Sequence, residues 1–202
     1  FFNSPIRYLT RMSVAPRLIL VDGSAYIFRA YYALPPMTNS SGVPTNAVYG
    51  FCNMMLKLID QYHDDKIIIV LDAGRNTFRN KLYAEYKANR SEAPEDLIPQ
   101  FNIIREAIDA FGLDVIEKKD FEADDIIASY AKYGEENKIN TIVYSSDKDL
   151  FQLLTGTTKI IDPMKNIEID EEKVLEKFGV KPDKITDVQA LIGDTADNIP
   201  GV

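Results

Sequence analysis

Three apolar runs in this chain end in an aspartate: "LILVD" at 18–22, "KIIIVLD" at 66–72 and "TIVYSSD" at 141–147. Each is a short buried strand by its length and its unbroken apolar character. Helical spacing fills the gaps, first in "AYIFRAYYAL" and then in "TNAVYGFCNMMLKLIDQY", which Thr45 stands ready to cap. Strand, helix, strand in repetition predicts an α/β fold with a mostly parallel central sheet. In an open sheet of that kind the carboxyl ends of the strands form one edge, where ligands bind. Asp22, Asp72 and Asp147, with Asp149 two residues on, are therefore expected to converge there. Any one of them could simply cap the helix behind its strand, and Asp162 at the end of "TKIID" shows that the pattern is not unique.

A second concentration of acid lies in "FEADD" at 121–125, directly before the apolar run "IIASYAKY". Carboxylates are favoured in a first helical turn because they cap free N–H groups and complement the dipole, so capping alone can explain Glu122, Asp124 and Asp125. Glu122 and Asp125 are three residues apart and would share a helix face, with Asp124 turned away unless the helix begins after Glu122. Asp147 and Asp149 are expected to point the same way from an extended loop. Asp194 and Asp197, in "GDTADNIPGV", stand one turn apart.

Electrostatics separates a decorated surface from a site. Two carboxylates about 5 Å apart repel by roughly 3 kcal/mol at an effective dielectric of about 20. Six or more could gather only around protons or cations. Hard oxygen donors without His or Cys select Mg²⁺, with Mn²⁺ as its substitute. A pair of such ions clamps the attacking and leaving oxygens of a phosphodiester displacement.

Other chemistries have little to work with. His63 is the only histidine and lies at the end of an amphipathic stretch, so a Ser-His-Asp or Cys-His nucleophile would depend on what reads as helix surface. Cys52 is the only cysteine, which excludes an internal disulfide and a thiolate zinc site and fits a reducing, cytoplasmic setting. No apolar run reaches the roughly 18 residues that span a bilayer, so no membrane partner is expected. At 202 residues and 46% hydrophobic the chain can build one sizeable core. Residues 1–11 are expected to be a disordered leader and 12–202 the folded domain, a monomer with no obligate protein partner.

The substrate side is expected at residues 75–90, "RNTFRNKLYAEYKANR", which carry a net charge of +4 in a chain of net charge −8. Phe78, Tyr83 and Tyr86 interleave with the basic residues. Aromatic faces stack single-stranded bases while Lys and Arg track phosphates; the plainer reading is a solvated amphipathic helix. Beyond it come a helix opened by Pro94, with Pro99 in its first turns and a stop at Gly112, and the strand "LDVIE". Past the "FEADD" helix lie the strand "IEID", a helix near 170–178, and the helix "ITDVQALIGD".

Taken together, "LILVDGSAYIFRAYYALPP", "FRNKLYAEYKANR", "FEADDIIA", "SSDKDLFQL" and "IGDTADNIPGV" resemble, in order, the 5′-nuclease domain of bacterial DNA polymerase I, in the flap-endonuclease family. The resemblance runs from Leu18 to Val202. It implies a PIN-like three-layer α/β fold with a helical arch, and a metal-dependent nuclease that removes RNA primers and displaced 5′ flaps. It implies two Mg²⁺ sites, one from Asp22, Asp72, Glu122 and Asp124 and one from Asp125, Asp147, Asp149, Asp194 and Asp197. It further implies that Arg29, Phe78, Arg79, Lys81, Tyr86, Lys87 and Arg90 contact DNA, with Lys87 and Arg90 reaching the scissile phosphate. Asp162 matches no ligand. Tyr32 stands where the family usually has His, and the family continues beyond Val202 into a helix-hairpin-helix, so the chain is expected to be a piece of such a domain.

The expected chemistry is in-line attack by water activated by the bound ions, with no covalent enzyme intermediate. A PIN-type ribonuclease would differ in preferring single-stranded RNA to branched DNA, and an inert fragment would only bind single strands. An aspartyl-phosphate phosphatase is disfavoured because "VDGSAY" has Ser24 two positions after Asp22, where that chemistry needs a second Asp.

Overall fold

The computed structural model describes residues 16–202. The expected leader at 1–11 lies outside the described residues.

Six strands form one sheet: β1 (Leu18–Asp22), β2 (Lys66–Val70), β3 (Asp114–Ile116), β4 (Thr141–Tyr144), β5 (Thr158–Asp162) and β6 (Ile167–Ile169). Their order across the sheet is β3-β2-β1-β4-β5-β6, with every neighbouring pair parallel except the antiparallel β5–β6 hairpin. Strand order reverses between β1 and β4, which pair in register from Leu18 opposite Thr141 to Val21 opposite Tyr144. That reversal is the point where an open α/β sheet leaves a crevice at its carboxyl edge.

Alternation along the central strands builds three layers. Ile19 and Val21 of β1, with Ile67 and Ile69 of β2, face a core shared with α1 (Gly23–Ala33), α2 (Asn46–Gln61) and α4 (Ile98–Ala110), centred on Phe51, Met55, Ile104 and Ile108. Leu18, Leu20, Ile68 and Val70 point the other way, against α5 (Ala123–Glu136), α6 (Glu171–Phe178) and α7 (Ile185–Ile192), through Ile127, Val174 and Ile185. Because side chains alternate with period 2, strands apolar at every position can only sit between two helical layers.

Four local expectations change. The helix expected from Pro94 starts at Ile98, with Pro99 in its first turn, because proline has no N–H to give and fits only there; Pro94 instead accepts the N–H groups of Leu97 and Ile98 in a preceding turn. Thr45 flanks α2 but its side chain makes no cap. The cap comes from Gln100, fully buried in α4, whose Oε1 accepts from the N–H groups of Ala47 and Val48 at 2.8 and 3.2 Å. Asp147 and Asp149, expected in an extended loop, open a 3₁₀ turn at Lys148–Leu153. The basic segment is helical only at α3 (Phe78–Leu82); turns follow at 84–89, so the arch expected there is a single short helix and a folded strap.

Candidate active site

The carboxyl edge of the sheet opens into a cleft of about 970 Å³, and all nine acidic residues singled out in the sequence line it. They fall into two groups with different surroundings.

The first group hangs from the strand ends. Asp22 is buried at the end of β1, where one carboxylate oxygen accepts from the Ala25 N–H at 3.0 Å and the other from the Ser145 hydroxyl at 2.8 Å. Gly23 makes this placement possible, since a Cβ there would come within 2.6 Å of Ile69 and 2.7 Å of Leu71. Asp72, just beyond β2, accepts from the Ala123 N–H at 2.8 Å and so caps α5 from outside. Asp147 accepts from the Asp149 N–H at 2.9 Å. Asp124 sits in the first turn of α5, which begins after Glu122, and feels the charges of all three.

These four carboxylates are in no ion pair with Lys, Arg or His among the described residues. Burial, then the like charges of Asp22, Asp147 and Asp72, push Asp124 up to about 8. Burial likewise raises Asp22 to about 6, opposed by its hydrogen bonds from Ala25 and Ser145. The group is thus acid-rich and short of positive charge.

Cations of the chain itself hold most of the second group. Arg79 grips Asp125 with two hydrogen bonds of 2.7 Å, and although burial works against ionisation, Arg79 and the Glu122 N–H hold the Asp125 carboxyl below the ordinary aspartate value. Glu122 and Asp125 also close a capping box at the start of α5, so in "FEADD" helix capping is compatible with a place on the cleft wall. Buried Glu122 receives the Lys87 ammonium at 2.7 Å and the Tyr86 hydroxyl at 3.1 Å. The same hydroxyl lies 3.1 Å from Asp197, which Arg90 also contacts. Lys148 holds Asp194 at 3.0 Å; burial opposes it, but that contact and the Ala196 N–H keep the Asp194 carboxyl low. Asp149 takes a hydrogen bond from Gln189, and burial raises it from its usual value.

Of the residues expected to touch nucleic acid, Arg79, Tyr86, Lys87 and Arg90 line the cleft, as does Tyr83. Tyr86 is buried, with its hydroxyl committed to two carboxylates, which leaves its ring no open face for a base. Arg29, Phe78 and Lys81 stand outside the cleft lining. Phe78 packs on Phe121 with Arg79 across its face, Lys81 pairs with Asp120, and Nη1 of Arg29 is buried without a hydrogen-bond partner among the described residues. His63 is exposed beyond α2, and Asp162 serves its own turn by accepting from the Met164 N–H. Sequence reasoning missed Lys148, Ser145 and Gln189. Lys148 carries a visible signal as the lone cation between two acids in "SDKDL", whereas nothing marks Gln189.

Among the described residues no three carboxylate, imidazole or thiol side chains are gathered tightly enough to enclose an ion unaided. An all-oxygen set lining an open cleft fits an ion such as Mg²⁺, which keeps several waters and completes its sphere with substrate phosphate, better than it fits one needing a closed cage. No helix among the described residues is long and apolar enough to cross a membrane.

Residues 17–179 match the family model of the 5′-3′ exonuclease N-terminal, resolvase-like domain. The chain is 48% identical over 200 residues to a DNA polymerase I of Rhizobium leguminosarum, covering 95% of this chain and 20% of that protein. It is 41% identical over 185 residues to a 5′-3′ exonuclease of Aquifex aeolicus, covering 92% of this chain and 64% of the other. A solved structure of T5 5′-exonuclease with divalent zinc ions bound superposes with a TM-score of 0.72 at 25% identity, over 92% of this chain and 70% of that one. The chain therefore spans a fifth of the length of that DNA polymerase I and just under two thirds of that of the Aquifex exonuclease.

Proposed function

This chain belongs to the family of 5′-3′ exonuclease N-terminal, resolvase-like domains, and from that premise we propose that it hydrolyses phosphodiester bonds near the 5′ end of nucleic acid with two Mg²⁺ ions. The substrate in this reading is DNA carrying a 5′ single-stranded flap or an RNA primer, met in the cytoplasm by a monomer. One observation carries the proposal: nine carboxylates share one cleft at the strand-order reversal of the sheet, and five of them, Asp22, Asp72, Asp124, Asp147 and Asp149, form no ion pair among the described residues. Relatives named as a 5′-3′ exonuclease and as DNA polymerase I support it.

Asp22, Asp72 and Asp124 would hold one ion, with Glu122 at the border, and Asp147, Asp149, Asp194, Asp197 and Asp125 the other. Bound there, divalent ions supply a nucleophilic water and neutralise charge developing on the phosphate. The chain does the rest. Ser145 and the Ala25 N–H fix both oxygens of Asp22, and the Ala123 N–H fixes Asp72, so these ligands need little reorganisation when an ion arrives. Lys87 and Arg90, on the strap over the cleft, are the groups able to orient a phosphate.

The test is cleavage of a labelled 5′-flap duplex in Mg²⁺. Hydrolysis that EDTA stops and Asp124→Asn abolishes is the expected result; hydrolysis of single-stranded RNA in preference to the flap would favour a ribonuclease, and Mg²⁺-independent turnover would contradict the assignment.

A further inference from the structure

The strap at 85–90 is fastened to the loop at 194–198 by more contacts than a cation awaiting a phosphate requires. The Lys87 N–H donates to the Asp197 carbonyl at 2.9 Å, the Asn89 side chain to the Thr195 carbonyl at 3.0 Å, and the Asn198 side chain to the Glu85 carbonyl at 2.8 Å. Lys87 and Asn198 both adopt the left-handed backbone region, at φ 56° and 58°, which non-glycine residues enter at a cost. That turn directs the Lys87 ammonium into the cleft, 2.7 Å from Glu122 and 3.8 Å from Asp197, while Arg90 pairs with Asp197 from its other side. Lys87 is 21% exposed and Glu122 9%, so solvent screens their attraction little.

These are oxygens that the proposed function assigns to metal ions. A carboxylate oxygen that accepts from an ammonium at 2.7 Å cannot also coordinate a divalent ion along the same lone pair. We propose that residues 85–90 form an internal counter-ion clasp, which competes with a divalent ion for Glu122 and Asp197 and surrenders Lys87 and Arg90 to the substrate phosphate once the ion is in place. The inference rests on the metal-dependent reading above. Competition falls on Glu122 and Asp197, one from each proposed ligand set, whereas Asp22, Asp72, Asp124 and Asp147 form no ion pair among the described residues. Arg90, half exposed, is free to swing once Asp197 changes partner. The clasp would thereby couple ion loading to delivery of phosphate-binding charge, with Tyr86 remaining as the neutral link between the two carboxylates.

The experiment is calorimetric titration of Mn²⁺ into the wild-type chain and into Lys87→Met and Lys87→Arg. Loss of one competing charge should tighten the weaker Mn²⁺ event about tenfold in Lys87→Met, while Lys87→Arg, which restores the cation, should stay within about twofold of wild type. A second readout needs no variant: Mn²⁺ should accelerate tryptic cleavage after Arg90 in the wild-type chain. Mn²⁺ binding with unchanged affinity in Lys87→Met, or protection of Arg90 by Mn²⁺, would overturn the clasp and leave the metal-dependent reading standing. Absence of any Mn²⁺ binding to the wild-type chain would overturn both.

Discussion

Asp124 and Asp125 are neighbours in the chain and opposites in the molecule. Asp124 looks toward three other carboxylates and is driven up to about 8 by burial and their charge. Asp125 looks away, into a two-point grip by Arg79, and is held low despite its burial. The same contrast divides the whole cleft. One half, from the strand ends, is under electrostatic strain until cations enter; the other is largely neutralised by Arg79, Lys87, Arg90 and Lys148. A count of acids would treat the halves alike, yet only the first must take up protons or cations to relieve its crowding.

The largest effect expected from this division is on turnover. Asp124→Asn or Asp22→Asn should lower cleavage of a 5′ flap by about a thousandfold or more while the fold persists, because each removes a charged oxygen from the proposed set of ion ligands. Wild-type rates for both at saturating Mg²⁺ would erase the distinction between the halves.

Next in size is the pH dependence of stability in chelator. Asp124 in the folded chain keeps its proton up to about pH 8, whereas an unfolded aspartate loses it near 3.9. Between those values the folded state binds more protons than the unfolded state, so stability falls as pH rises from about 4 to about 8. Asp22, raised to about 6, adds to the lower part of that window. Thermal melts in EDTA should show the slope, and saturating Mn²⁺ should flatten it; a melting midpoint that climbs through this range would break the comparison.

On the neutralised side Arg79→Met should destabilise the chain by about 1–2 kcal/mol, since it leaves Asp125 partly buried without its partner. Denaturant midpoints at pH 7 would measure it. Lys148→Met should cost less, about 0.5 kcal/mol, because the Lys148 side chain is 39% exposed and water replaces much of the contact. A larger loss from Lys148→Met than from Arg79→Met would mean that burial does not rank these pairs.

The strained half was the more legible in sequence. Asp22, Asp72 and Asp147 follow apolar runs whose period announces strands, and a parallel sheet brings strand ends together without further information. The neutralised half depends on contacts that no local pattern predicts: Arg79 meets Asp125 across 46 residues, and Tyr86 meets Asp197 across 111. Reading 75–90 as a nucleic-acid surface identified the charge but not its resting place on the chain's own carboxylates. The cap of α2 failed for the same reason, since Gln100 reaches Ala47 across 53 residues, whereas the start of α4 is set locally by Pro99. For "FEADD" the competing explanations turned out to be compatible, with Glu122 and Asp125 capping the helix while Asp124 faces the strand ends.

One pair of variants tests the division most directly, because it makes the same isosteric change at adjacent positions. Melting midpoints in EDTA at pH 8 should rise for Asp124→Asn, by on the order of 5 °C, since a like charge is removed from a crowded group. They should fall for Asp125→Asn, which strips Arg79 of its charged partner. Shifts of the same sign in both variants would contradict the account, because they would mean that the two halves of the cleft answer to the same electrostatic environment.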